Sequence, residues 1–61
     1  MAQITEKELT ALDDLMSMES ILCAKCTALA AQTEDAALND CYTQMAQRHQ
    51  RHFDQLYSNL K

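Results

Sequence analysis

Ala31-Gln32-Thr33-Glu34-Asp35 interrupts a chain that otherwise carries helical periodicity almost from end to end. The Thr33 side chain can cap a second helix, and Glu34 and Asp35 place negative charge in that helix's first turn, where the macrodipole favours it. The stretch therefore divides two helices, expected at about residues 5–31 and 34–59. So short a connection turns the second helix back along the first, which predicts an antiparallel αα-hairpin.

Upstream of the break, the first helix has a specific start signal. Thr5-Glu6-Lys7-Glu8 reads as a capping box with Thr5 at the N-cap and Glu8 at N3, and Ile4 and Leu9 fit the hydrophobic staple around it. Leu9, Leu12, Met16, Glu19, Cys23, Cys26 and Ala30 then recur at alternating three- and four-residue steps, with Leu15, Leu22 and Leu29 beside them. Downstream, Leu38, Cys41, Tyr42, Met45, His49, His52, Phe53, Leu56 and Leu60 share one side of the second helix. Asp40, Gln47, Gln50, Arg51 and Asp54 take the other. Folding the chain about residue 33 sets Leu12 near Phe53, Glu19 near Met45 to His49, and Cys23 or Cys26 near Cys41. Ile21, Ala24 and Ala28, opposite the first stripe, read either as ordinary surface or as a face through which bundles pack into a higher assembly.

The fold class is all-α. The chain has no Gly and no Pro and is rich in good helix formers. At 61 residues it holds one domain at most, and a core of that size is marginal unless something staples it. A lone hairpin leaves the outer part of both stripes wet. Pairing two hairpins into an antiparallel four-helix bundle covers them, so a homodimer is the expected minimum unit.

Charge narrows the partners. A net charge of −4, with few Lys and Arg, argues against nucleic acid and anionic lipid, whose phosphates need clustered cations. No apolar run approaches the roughly 20 residues that span a bilayer, and the start of the chain lacks a basic-then-apolar leader. Synthesis and retention in the cytoplasm are expected. Nothing resembles a nucleophile elbow, a phosphate loop or a Ser-His-Asp order, and the absence of glycine excludes glycine-dependent nucleotide sites.

Two constellations carry chemistry. Glu19, His49 and His52 all project onto stripes that should be interior, where an unpaired polar group costs several kcal/mol, of order 2–7. One reading makes them ligands for a divalent transition metal, Zn, Fe, Mn or Cu, since imidazole and carboxylate suit these ions. In a dimer, two copies around the twofold axis would offer a di-metal site. The other reading is a Glu-His ion-pair network that fixes the register of the helices. Cys23, Cys26 and Cys41 form the second set. They can pack as small core residues, close a disulfide and leave a spare thiol, or hold a soft metal as three thiolates.

Glu19 in the first helix and His49-x-x-His52 in the second resemble the ferritin-like half-bundle, in which one helix gives Glu and the next gives Glu-x-x-His. More closely, Leu12-Asp13-Asp14-Leu15, Met18-Glu19, Gln44-Met45-Ala46 and His49-Gln50-Arg51-His52-Phe53 resemble the small coat F-type spore coat proteins of endospore-forming bacteria. The resemblance covers nearly the whole chain. It implies a ferritin-like helical fold, a place in or on the spore coat, and a gain from covalent cross-linking through cysteine. His49 stands where the ferritin-like pattern has a glutamate, which removes negative charge that would hold ferric iron. The expectation is thus a structural, self-assembling bundle protein of the spore-coat type, with a metal-binding ferritin-like protein for storage or redox work as the rival.

Overall fold

A computed structural model describes residues 4–60 as two helices packed side by side, α1 over Glu6–Gln32 and α2 over Ala36–Ser58. Met1 to Gln3 and Lys61 lie outside the described residues. The hairpin is a rod of 46 × 16 × 11 Å. That length is close to the 40 Å or so that 27 residues of helix span at about 1.5 Å each.

The capping box forms. The Glu8 backbone N–H donates to Thr5 Oγ1 at 3.1 Å, and the Thr5 N–H donates to Glu8 Oε1 at 3.2 Å, so two donors at the helix start are satisfied reciprocally. Hydrogen bonding by Thr5, from its side chain first and its backbone second, holds the Glu8 carboxyl below the ordinary glutamate value. A carboxyl lowered in the folded state adds stability above its unfolded pKa and loses it as pH falls through the folded one. Thr5→Ala is expected to cost about 1 kcal/mol at neutral pH. The gap between variant and parent should narrow in acid, as circular dichroism melts at pH 7 and pH 3 will show.

The turn is built differently from the expectation. Thr33 closes α1 instead of opening α2: its backbone is extended, and its N–H donates to the Leu29 carbonyl at 3.1 Å. Asp35 is the N-cap of α2, its Oδ1 accepting from the Leu38 N–H at 2.9 Å, and Glu34 remains between the helices. Asp35 also donates its N–H to Thr33 Oγ1 at 3.2 Å. With the Thr33 hydroxyl engaged by Asp35, the later carboxylate takes the cap. Asn39 of α2 reaches back to donate its side-chain N–H to the Ala30 carbonyl at 2.6 Å, satisfying one of the last carbonyls of α1. The described backbone has no positive φ, so the reversal runs through extended residues and needs no glycine.

Packing follows one seam. Leu12 and Cys26 are the buried residues among those described, and Met16, Glu19, Cys23 and Ala30 of α1 are half-buried in line with them. From α2 the seam takes Tyr42, Ala46, His49, Phe53 and Leu56, with Leu60 just past its end. Leu38, Cys41, Met45 and His52, expected on the same interior stripe, are exposed in the hairpin, and Ala46 stands in their place. Two helices touch along a line narrower than an apolar stripe, so one edge of each stripe must turn away.

Candidate metal centre

Glu19 is the middle residue of α1, and His49 lies two residues from the middle of α2. Antiparallel folding brings them to one level. His49 Nδ1 lies 2.5 Å from Glu19 Oε1, and His52 Nδ1 lies 3.2 Å from Glu19 Oε2. One carboxylate therefore engages two imidazoles, each oxygen meeting one ring. The two rings, one helical turn apart, meet edge to face with centroids 6.0 Å apart and planes at 81°.

The three side chains differ in access. Glu19 and His49 are each 20% exposed, whereas His52 is 45% exposed and marks the outer rim of the group. Around the group lie the Met45 and Phe53 side chains, neighbours by helical spacing on α2. Among the described residues, Glu19, His49 and His52 form a group of potential metal ligands in which the donor atoms all lie within 4.8 Å of one another. On a tetrahedral ion with bonds of about 2.0–2.1 Å, neighbouring ligand atoms stand about 3.3 Å apart. The 3.2 Å between His52 Nδ1 and Glu19 Oε2 matches that spacing, whereas the 2.5 Å between His49 Nδ1 and Glu19 Oε1 would have to open to admit an ion. Three protein ligands leave a fourth position for water or another donor, the arrangement of an open site.

The same geometry also satisfies the group without an ion. Each imidazole N–H can donate to the carboxylate oxygen that faces it, and no buried side-chain polar atom is left without a partner among the described residues. The arrangement is thus a hydrogen-bonded Glu-His-His cluster whose donor set could also hold a metal ion.

The cysteines are dispersed in function. All three are free thiols: Cys26 is buried in the seam, Cys23 is half-buried, and Cys41 is exposed. Cys23 Sγ lies 3.8 Å from Gln50 Oε1, and Gln50 Nε2 donates onward to Asp54 Oδ1 at 3.0 Å. Cys41 Sγ instead meets Met45 Sδ at 4.0 Å along its own helix. The thiols do not form a second three-ligand group among the described residues. Gln50, read from the sequence as an outer residue, is the partner the periodicity missed; its long side chain reaches back over the seam edge. No helix among the described residues is long and apolar enough to cross a membrane. No family model matches the chain, and no curated protein or solved structure matches it either.

Proposed function

We propose that the chain is a metal-binding helical protein that works as a self-associated bundle, each hairpin holding one divalent transition-metal ion through Glu19, His49 and His52. The observation that carries this reading is the convergence of three donor atoms from two helices within 4.8 Å at mid-hairpin. A lone i, i+3 histidine pair is common on helices. A carboxylate from the other helix, placed between both rings, is the additional feature that makes a ligand set. Zn, Fe, Mn and Cu all accept two imidazoles and a carboxylate, and the ion's chemistry at this site would be binding, storage or redox exchange through the open fourth position. The Glu19 carboxylate fixes both rings through one oxygen each.

A second reading is structural assembly of the spore-coat type, supported by an exposed thiol at Cys41 that can cross-link chains in an oxidising setting. One experiment addresses both. Untagged protein, purified without a metal-affinity column, is analysed by native mass spectrometry and elemental analysis with and without reductant. One metal ion per chain, unchanged by reductant, is expected. A metal-free ladder of oligomers that collapses on reduction would replace the metal reading with cross-linked assembly.

A further inference from the structure

The hairpin has two unlike broad sides. In an antiparallel helix pair, flanks displaced from the seam in the same rotational sense arrive on the same side of the molecule. One side carries a shallow groove of about 300 Å³ lined by the short side chains of Cys23, Thr27, Thr43 and Ala46 and by Gln47 and Gln50. Rotation by about 40–120° in the opposite sense puts Leu15, Met18 and Leu22 of α1 and Leu38, Cys41, Met45 and His52 of α2 on the other side. Leu15, Met18 and Leu38 are 49%, 57% and 47% exposed, and Leu22 and Met45 are about two-fifths exposed.

This face is too large and apolar for a monomer whose own seam buries only Leu12 and Cys26 among the described residues. A compact monomer of 6.9 kDa exposes about 4,000 Å². The hairpin exposes 4863 Å². The surplus reflects an elongated shape, and the broad side of the rod, 46 × 16 Å or about 740 Å², is close to the roughly 800 Å² that each partner contributes to a standard stable interface. A second copy is the occupant that fits: the face runs along the middle of the hairpin from the level of Leu15 to that of Leu38, and an isologous pair covers it on both copies at once.

We infer that a second copy of this chain docks through the Leu15-Met18-Leu22 and Leu38-Met45 face, and that the twofold axis passes at the level of Glu19, His49 and His52, setting the two triads opposite each other. The mid-hairpin position of Glu19 makes this independent of hairpin direction. Whether the loops lie at the same end or at opposite ends, a twofold through the middle superposes the triads in height. His52, on the rim of the triad and on this face, is the ligand that meets the partner. The open fourth position of each site then faces donors of the other copy. The interface stands by itself; the shared site rests on the metal reading above.

Sedimentation equilibrium on the full untagged chain tests both parts, run in EDTA and again with one equivalent of Zn²⁺. A dimer in EDTA is expected, tightened by zinc. Leu22→Ala keeps helix propensity and should weaken the dimer at least tenfold, Leu22→Glu should give monomer, and Gln47→Glu on the grooved side should leave the dimer constant unchanged. Helix content by circular dichroism separates dissociation from unfolding. A monomer at 100 µM in both buffers, or a dimer broken by Gln47→Glu and not by Leu22→Ala, overturns the interface. A dimer that forms only with zinc shows that metal, and not this face, joins the copies. A dimer in EDTA that takes up no zinc keeps the interface and removes the shared site.

Discussion

His49→Ala is expected to lower zinc affinity by more than 100-fold while leaving helix content almost unchanged. His49 is the less exposed of the two imidazoles and sits at 2.5 Å from Glu19, so its removal takes out one ligand and unlocks the carboxylate. Loss of an outer partner that only orients a ligand costs metal sites about 10–100-fold, and loss of a ligand itself must exceed that. Glu19→Gln should have a comparable effect for a different reason, because the amide keeps the shape of the side chain and loses its charge. Titration with a competing chromophoric chelator gives both constants. Equal affinities for parent and His49→Ala would leave the cluster as a helix-register device alone. Protons compete with metal for both rings, so parent affinity should fall as the buffer is made more acidic. A Glu-His-His cluster that binds no metal has no such titration of zinc uptake.

The second large effect concerns the seam. Leu12→Ala is expected to destabilise the protein by about 2–5 kcal/mol, through the lost transfer energy of the side chain and the cavity it leaves. Leu12 is one of two buried residues among those described, so little neighbouring core exists to close the gap. For a domain of this size each kcal/mol moves the melting temperature by about 4–8 °C, so a fall of more than about 10 °C is expected. Leu9→Ala, at a side chain 46% exposed one turn earlier, should shift it by a few degrees at most. Equal losses at the two positions would place the seam elsewhere on α1. Melts at a fixed protein concentration are needed, because the stability of a self-associating chain depends on concentration.

The two predictions probe features with different visibility in the sequence. The triad was legible because all three residues interrupt apolar stripes with polar groups, and because the short link fixes the register closely enough to bring residue 19 to the level of residues 49–52. The partnership of Cys23 with Gln50 was not. It depends on which way a flexible amide leans across the seam, a choice made by packing and not by spacing. The Cys41 thiol sits on the outer flank of α2 against Met45, since Cys41 lies about 100° round from the seam.

By itself, the sequence determined that there are two helices, where the first begins, and that they fold back on each other. Local chemistry is enough for these: the reciprocal Thr5 and Glu8 hydrogen bonds, the three-and-four periodicity, and a run of cap-forming residues between two amphipathic segments. Tertiary structure alone decided how each helix is rotated about its axis. Each apolar stripe is wider than the line along which two cylinders touch, so several rotations satisfy the local pattern equally well. Mutual packing selects the one that seats Ala46 on the seam near Cys23 and turns Leu38, Met45 and His52 outward. The same selection set Asp35 rather than Thr33 as the cap of α2, because the Thr33 hydroxyl accepts from the Asp35 N–H as the chain reverses.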